Sequence, residues 1–160
     1  MRLRVNAKLT YKTVRVSLYM KHIFQEAKKV AETYDISTPD NGLVLYSISF
    51  LPTKENKEQA FKYVREHQGS VTIENTLCGA KLVEMFHLWG DSFSKDEIVL
   101  LWDIASQRMI KKAKGNITAF VKGADPRSVF CRVELVSILE NPLITTINGK
   151  DKYLFAEKYI

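Results

Sequence analysis

The feature that most constrains this 160-residue sequence is a set of apolar residues at helical spacing between residues 13 and 34. They recur every three or four positions, which places them on one face of a helix. This stretch is therefore predicted to be the clearest amphipathic helix of the chain. Its apolar positions are Val16, Met20, Ile23, Phe24, Ala27, Val30, Ala31 and Tyr34.

Other parts of the chain carry patterns typical of strands. Apolar and polar residues alternate from Leu3 to Tyr11, which predicts a strand or an ordered arm. The mostly apolar run Leu43–Ile48 predicts a buried strand that ends before Pro52. Four further strands are predicted at Asn116–Val121, Val129–Leu135, Leu143–Ile147 and Tyr153–Phe155.

Three more helices are predicted between residues 54 and 115. Lys54–Gln68 has the pattern of a charged surface helix, whereas Asn75–Trp89 is apolar around most of its circumference and is expected to be buried. Ser94 and Glu97 form the Ser-x-x-Glu signature of a capping box, which opens the third helix. Its expected core face is Ile98, Leu101, Trp102, Ala105 and Met109.

Composition and element order indicate one mixed domain of the α/β (α+β) class over residues 1–160. Hydrophobic residues make up 46% of the chain and charged residues 26%, which is ordinary for a globular protein. Helices dominate the first two thirds and short strands the last third. We expect an N-terminal arm and helix over residues 1–40 and a core over residues 43–147.

The cysteine content and the net charge indicate which cellular environment suits the chain, but they do not identify its ligand. Cys78 and Cys131 form no Cys-x-x-Cys pair, so no disulfide framework is expected and the fold is compatible with a reducing compartment. The start Met1–Asn6 is too polar for a signal peptide, and no apolar run approaches the ~20 residues of a membrane span. A formal net charge of +6 attracts anions of any kind, whether nucleic acid, a membrane surface or a dinucleotide.

The common catalytic motifs are missing from the sequence. There is no Gly-x-Gly-x-x-Gly, Walker loop, His-Glu-x-x-His or Gly-x-Ser-x-Gly. The histidines His22, His67 and His87 have no suggestive neighbours. We therefore expect neither a metal centre nor a serine triad.

Four segments stand out once these motifs are set aside. Each is weak alone, but their order along the chain and the helix-then-strand context of the last two give a combined signal. They are Leu45–Ser47, Thr72–Gly79, Leu101–Arg108 and Ser128–Leu135.

In this order the segments resemble the ADP-ribosyl cyclase/NAD glycohydrolase family. That family carries Trp-Ser, then Leu-Glu-Asp-Thr-Leu-Leu-Gly, then a helix with Trp-x-x-x-Ser-x-Arg, and finally a strand with Phe-x-x-Val-Glu. The last segment, Ser-Val-Phe-Cys-Arg-Val-Glu-Leu before Asn141-Pro142, also resembles toxin domains of bacterial effectors. The animal enzymes of this family depend on many disulfides, whereas this chain has only two cysteines and no expected disulfide. It also has Tyr46 where the family has Trp, and Asn75 where the family has Asp.

The resemblance implies a fold and a set of site residues. The fold would be ADP-ribosyl cyclase-like, with a helical lobe packed beside a small, mostly parallel sheet. Glu134 would be the catalytic glutamate at the end of its strand, with Trp102 stacked on nicotinamide, Ser106 near the reacting ribose and Glu74 on the carboxamide. Among the predicted substrate-binding residues, Tyr46 would be a second aromatic wall and Ser47 a phosphate ligand. The others are Arg127, Ser128 and Phe130: backbone amides around Ser128–Phe130 would hold the pyrophosphate, with Arg127 or Lys122 nearby.

The absence of a useful histidine suits this chemistry. Nicotinamide leaves NAD⁺ as a neutral molecule, so no general acid has to protonate it, unlike the leaving group of an ordinary glycoside. The barrier lies in the positive charge that develops on the ribose, and one carboxylate in a water-poor site stabilises that charge by several kcal/mol. A cationic ring over an indole gains a further ~1–2 kcal/mol.

The predicted function is that of an NAD⁺ or NADP⁺ glycohydrolase that needs no cofactor. We expect a bacterial effector toxin that is secreted or delivered, acts in the target-cell cytoplasm and has a cognate immunity protein. ADP-ribosyl cyclase and ADP-ribosyltransferase activities are the enzymatic alternatives. A non-catalytic nucleic-acid binder is the alternative from another class, although no aromatic stacking platform or regular basic stripe supports a nucleic-acid partner, and no membrane partner is expected.

Overall fold

The computed structural model describes the backbone of residues 2–160 and the side chains of residues 16–160. Its helices are α1 (Arg2–Thr33), α2 (Glu55–Glu66), α3 (Leu77–Trp89), α4 (Lys95–Lys112), α5 (Leu135–Glu140) and α6 (Lys152–Ala156). Its strands are β1 (Val44–Tyr46), β2 (Gly115–Phe120), β3 (Ile144–Ile147) and β4 (Lys150–Asp151). Short 3₁₀ turns lie at Ile73–Asn75 and Gly90–Ser92, and a π-helical turn lies at Phe130–Glu134.

The sheet of the described residues is small and mostly parallel. Its strand order is β1-β2-β3-β4, with β1, β2 and β3 parallel and β4 antiparallel to β3. Val44 lies opposite Thr118, and Tyr46 lies opposite Phe120. The predicted mixed class with a small, mostly parallel sheet is therefore confirmed.

A helical layer of α1, α3 and α4 packs beside this sheet. Ala27 and Ala31 lie one turn apart on α1 and are fully buried. Their small side chains allow α3 and α4 to pack closely against α1. Leu101 and Met109 bury the inner face of α4. The predicted capping box opens α4, since Ser94 Oγ accepts from Glu97 N at 3.1 Å and Glu97 Oε1 accepts from Ser94 N at 2.8 Å.

The strand or arm predicted for Leu3–Tyr11 is wrong, because this stretch belongs to α1. Alternation places apolar residues two apart, but every second one of them is also four apart. Leu3, Ala7 and Tyr11 therefore fit a helical face as well as a strand face.

Two strands predicted in the last third are also helical. Val129–Leu135 is rich in residues with high strand propensity, but buried residues of this region recur every three or four positions, at Phe130, Glu134, Ser137 and Asn141. Burial on one side of a helix outweighs a propensity that depends strongly on context. At Tyr153–Phe155 the prediction missed an N-cap: Asp151 Oδ1 accepts from the backbone N–H groups of Tyr153 and Leu154 at 2.9 and 3.2 Å.

The helix predicted over Asn75–Trp89 is present as α3, but it is buried on one face only. Cys78, Leu82 and Met85 face the core, whereas Leu77 is 65% exposed and Leu88 57% exposed. Both cysteine thiols are free. Across residues 2–160, the helices are too short or too polar to cross a lipid bilayer.

Candidate active site

A cavity of about 320 Å³ lies beside β1 and the residues that follow it. This volume is at the lower end of the range of small-molecule sites. In open parallel sheets, ligands bind beyond the carboxyl ends of the strands, which is where this cavity extends. Its polar and aromatic lining comes from five separate parts of the chain: Tyr46, Ser47, Ser49, Lys57, Glu74, Trp102, Ser106, Phe130 and Glu134.

Glu134 is the most deeply buried carboxylate of this cavity. It ends the π-helical turn Phe130–Glu134, and only 7% of its surface is exposed. The pKa of Glu134 is raised to about 7, chiefly by burial; hydrogen bonding by Ser106 lowers this pKa, and the nearby charges of Glu74 and Asp103 raise it. A buried acid with a pKa near neutrality is a frequent feature of functional sites.

The π-helical turn is held in place by contacts to its own start and to α4. Ser128 Oγ accepts from Cys131 N at 3.2 Å, which satisfies a backbone donor at the start of the turn. Arg132 forms a two-point ion pair with Asp103 of α4, at 3.0 and 3.1 Å, and its Nε donates to Arg127 O at 2.8 Å. Single π-turns are found frequently at functional sites.

Helix α4 supplies Trp102 and Ser106 to the same wall of the cavity. These residues are one helical turn apart and therefore point in the same direction. Trp102 is half-buried and meets Phe86 edge-on, with ring centroids 5.6 Å apart. Ser106 is buried, and its hydroxyl acts on the Glu134 carboxyl.

Glu74 is presented by a tightly braced 3₁₀ turn. Asn75 Oδ1 accepts from Thr72 N and Thr72 Oγ1 at 2.9 and 3.0 Å, and Thr76 caps α3 by accepting from Gly79 N at 3.0 Å. A Cβ atom on Gly79 would lie 1.8 Å from Ile73 O, so only glycine allows the turn to approach α3 this closely. The spacing of the Thr72–Gly79 motif thus has a local structural reason.

Glu74 and Tyr46 both line the cavity and are joined by a hydrogen bond. The Tyr46 hydroxyl donates to Glu74 Oε1, while Glu74 Oε2 is buried without a partner. Burial and the neighbouring Glu74 raise the pKa of Tyr46, so the phenol stays protonated and remains a donor. The free Oε2 atom leaves one strong acceptor available to a ligand.

Ser47 follows β1 and is held by its backbone. Its N–H donates to Phe120 O at 3.2 Å, and its carbonyl accepts from Asn56 Nδ2 at 2.8 Å. Asn56 Nδ2 also donates to Lys122 O at 3.0 Å, so one amide joins the ends of β1 and β2 to α2. Ser47 Oγ is buried without a hydrogen-bond partner.

The structure brings together Glu134, Trp102, Ser106, Glu74, Tyr46, Ser47 and Phe130, but not all the predicted residues. Arg127 is exposed, pairs with Asp125 at 2.9 Å and covers the Phe50 ring at 3.9 Å, away from the cavity lining. Ser128 is buried and braces the π-helical turn instead of lining the cavity. Lys122 is exposed and contributes only its carbonyl, to Asn56.

The sequence prediction left out several residues of the site, Ser49 among them. Lys57 lines the cavity from α2, and Asn56 beside it anchors Ser47. Asp103 and Arg132 form an ion pair although they are 29 positions apart in the sequence, and no local sequence pattern predicts such a contact. Asn56 is the one of these residues for which the sequence offers a hint. An amide side chain that the fold buries needs hydrogen-bond partners, and these can come from the backbone of other segments.

The cavity suits a ligand whose reacting end is cationic. Two carboxylates, Glu74 and Glu134, and the Trp102 ring line it, whereas Lys57 on α2 is the single lining cation among the described residues. Among residues 16–160, no three His, Cys, Asp or Glu side chains are grouped so that they could hold a metal ion.

Comparison with protein-family models gives no match for this chain, and comparison with curated proteins gives no significant match. Among solved structures, the chain is similar to porcine CD38 complexed with a covalent intermediate, ribo-F-ribose-5′-phosphate. The two share 21% sequence identity with a TM-score of 0.45, over 71% of this chain. The chain spans 62% of the length of that CD38 chain.

Proposed function

We propose that this chain is an NAD⁺ or NADP⁺ glycohydrolase that breaks the nicotinamide–ribose bond. The observation that carries the proposal is the buried Glu134 carboxyl, which shares one cavity with Trp102, Ser106 and Glu74. The order of the sequence motifs that supply these residues gives independent support.

Glu134 would stabilise the positive charge that develops on the ribose. Its ionised carboxylate lies in a site where burial already disfavours the charge, so an adjacent cation is strongly attracted. Trp102 would stack on the pyridinium ring, and the free Glu74 Oε2 would accept from the carboxamide N–H group. Ser106 would hold the Glu134 carboxylate beside the ribose.

The reaction balances without an acid. The bond between ribose C1′ and the nicotinamide nitrogen breaks, and its electron pair stays on the nitrogen, so nicotinamide leaves neutral. Water then forms a bond to C1′ and releases one proton, giving ADP-ribose. Since the cavity volume is about 320 Å³, the nicotinamide–ribose end would be buried and the adenine end would lie at its mouth.

The direct test is incubation of the purified chain with NAD⁺ and chromatography of the products. We expect nicotinamide and ADP-ribose in equal amounts, and a cyclic ADP-ribose peak would assign the cyclase subtype instead. A wild-type chain that folds and releases no nicotinamide from NAD⁺ or NADP⁺ would overturn the proposal.

Glu134→Gln is the decisive variant because it removes charge and almost no volume. Turnover should fall by at least about a thousandfold, comparable to the loss of a main electrostatic group in other active sites. Glu140→Gln is the matched control, since Glu140 is exposed on the neighbouring α5. It should leave turnover unchanged.

We also propose that the activity serves a delivered bacterial effector toxin, countered by an immunity protein in the producing cell. The support is the likeness of residues 128–135 and Asn141-Pro142 to effector toxin motifs. Expression of the chain in bacterial cytoplasm should lower cellular NAD⁺ and arrest growth, whereas the Glu134→Gln variant should do neither. Normal growth with active enzyme present would contradict the toxin role.

A further inference from the structure

We propose that the exposed ring of Phe50 is the platform on which the adenine base of the substrate stacks. The inference rests on the proposed function and assigns a binding residue to the half of the dinucleotide that the cavity does not enclose. The cavity volume of about 320 Å³ is at the lower end for ligand sites, so a dinucleotide extends beyond the lining. Phe50 belongs to none of the four segments on which the family resemblance depends.

The backbone at Phe50 is the first support. Residues 48–51 form a turn in which Leu51 N donates to Ile48 O at 3.1 Å, and Phe50, the third residue, has a φ of 65°. Turns with a positive φ at this position favour glycine or asparagine, because a Cβ atom is strained there. Packing does not explain the aromatic ring, since 59% of Phe50 is exposed. Strained residues of this kind cluster at ligand clamps and active sites.

The second support is the position of Phe50 beside the cavity. Phe50 directly follows Ser49, which belongs to the lining, and consecutive Cα atoms are about 3.8 Å apart. Arg127, which contacts the Phe50 ring, lies two positions before the lining residue Val129. The ring and the guanidinium are therefore carried by two loops that both continue into the lining.

The third support is the guanidinium that covers the ring. Arg127 Cζ lies 3.9 Å from the centroid of the Phe50 ring. Asp125 holds this guanidinium: its Oδ1 accepts from Arg127 N at 2.8 Å and from Nε at 2.9 Å, and its Oδ2 accepts from Nη2 at 3.0 Å. The exposed remainder of the ring is free to take a planar base. Proteins stack unpaired bases on aromatic rings and on Arg guanidinium planes.

The two loops are joined where they begin. Asn56 Nδ2 donates to Ser47 O at 2.8 Å and to Lys122 O at 3.0 Å. Ser47 precedes the Phe50 turn and Lys122 precedes the Arg127 loop, so one amide connects both. A platform that is held before the ligand arrives loses less conformational freedom on binding. Because stacking contacts the face of a base and not its edges, the site would accept a purine ring in general.

The experiment compares NAD⁺ with nicotinamide mononucleotide, which lacks the adenosine half. Phe50→Ala removes the ring and leaves both carboxylates of the cavity in place. It should raise KM for NAD⁺ roughly five- to a hundredfold, the range that alanine substitution gives for base–aromatic stacking. KM for nicotinamide mononucleotide should stay unchanged, and Phe50→Tyr, which keeps an aromatic face, should restore KM for NAD⁺.

Tyr153→Ala is the matched control. Tyr153 is 59% exposed like Phe50 and has Lys152 Nζ over its ring at 5.3 Å, but it lies on α6 and outside the lining. It should change neither constant. Equal KM increases for both substrates in Phe50→Ala would assign Phe50 a structural role in its turn and overturn the proposal. Unchanged constants for both substrates would show an exposed turn residue that contacts no ligand and overturn it too.

A binding measurement separates this inference from the proposed function. Calorimetric titration with ADP-ribose needs no turnover, and the wild-type chain should bind it at least about fivefold more tightly than Phe50→Ala. Both chains should bind ribose 5-phosphate, which has no base, equally well. If the wild-type chain cleaves neither substrate but shows this difference, the proposed function fails and the adenine site stands. If the chain cleaves NAD⁺ and the two ADP-ribose affinities are equal, only the adenine site fails.

Discussion

Arg132 and Asp103 form a two-point ion pair that joins the π-helical turn to α4, with N–O distances of 3.0 and 3.1 Å. Arg132 lies two residues before Glu134, and Asp103 directly follows Trp102. The pair therefore sets the position of the carboxylate relative to the aromatic face on which the substrate would stack. Its side chains are partly exposed, at 38% and 22%, so its contribution to global stability is expected to be small.

We expect Asp103→Asn to impair catalysis more than folding. The variant loses one charge of the pair and loosens the turn that carries Glu134, and a displacement near 1 Å at a reacting group can cost about a hundredfold in rate. The value of kcat should fall at least about tenfold, while the free energy of unfolding falls by no more than about 1 kcal/mol. Turnover assays and chemical denaturation measure the two quantities.

Glu84→Gln is the control for this variant, because Glu84 pairs with Lys81 at 2.7 Å on the exposed surface of α3. It removes an exposed ion pair that lies within α3 and does not involve the turn, so it should leave kcat unchanged. An Asp103→Asn variant with wild-type kcat would show that the turn is held without the pair.

The pH dependence of kcat/KM should report the pKa of Glu134. The carboxylate stabilises the ribose cation only when it is ionised, so kcat/KM should rise with pH through a midpoint of about 7. Ser106→Ala should move this midpoint to higher pH, because hydrogen bonding by Ser106 lowers the pKa of Glu134. Asp103→Asn should move it to lower pH, because the negative charge of Asp103 raises that pKa.

Opposite shifts in these two variants distinguish a titrating Glu134 from a general loss of structure. Substitutions that merely distort the site would lower kcat/KM without moving the midpoint in opposite directions. A rate that is flat between pH 5 and 9 would mean that Glu134 titrates outside this range or takes no part in the reaction.

Local chemistry made the start of α4 and the small parallel sheet predictable from sequence. The Ser94–Glu97 box depends on residues three apart, and β1 and β2 are short apolar runs between turns. The helical π-turn was not predictable in the same way. Its residues have strand propensity, and only burial against α4 selects the helix.

The residues of the candidate site also fall into two groups, those that sequence motifs predict and those that only tertiary contacts bring to the cavity. The motifs located Glu134, Trp102, Glu74 and Tyr46 because each recurs with fixed neighbours in the family that the sequence resembles. Lys57 enters the cavity because Asn56 fixes α2 against the end of β1, a contact between segments that no periodicity encodes. Residues that act through tertiary contacts were therefore the ones missed.

Trp102→Ala should damage both binding and stability. The indole lines the cavity and meets Phe86 with ring centroids 5.6 Å apart, so its removal leaves a void as well as an open stacking position. We expect a loss of about 3 kcal/mol in the free energy of unfolding. The KM for NAD⁺ should rise roughly five- to thirtyfold, the equivalent of a stacking energy of ~1–2 kcal/mol on a cationic ring.

Trp102→Phe separates the two effects, since a phenyl ring fills most of the void but is a weaker platform for a cation. It should recover more stability than affinity. Equal recovery of both would assign Trp102 to the core alone.

Glu134→Gln should stabilise the fold at neutral and alkaline pH. The pKa of Glu134 rises from an ordinary 4.5 to about 7 on folding, because burial disfavours the charge. Well below pH 4.5 the carboxyl is protonated in both the folded and the unfolded chain, so its ionisation does not affect the free energy of unfolding. As the pH rises from about 4.5 to 7, the unfolded chain ionises first, so the wild-type fold loses stability progressively, to a total of about 3 kcal/mol.

The glutamine side chain does not titrate, so the variant avoids this loss. Its Tm should exceed that of the wild type by roughly 6–12 °C at pH 8, and the gap should close towards pH 4. Glu140→Gln, at an exposed position of α5, should show no such pH-dependent gain. If Glu134→Gln unfolds at or below the wild-type temperature at pH 8, the carboxylate carries no burial cost, and the same measurement would remove the electrostatic basis for its catalytic role.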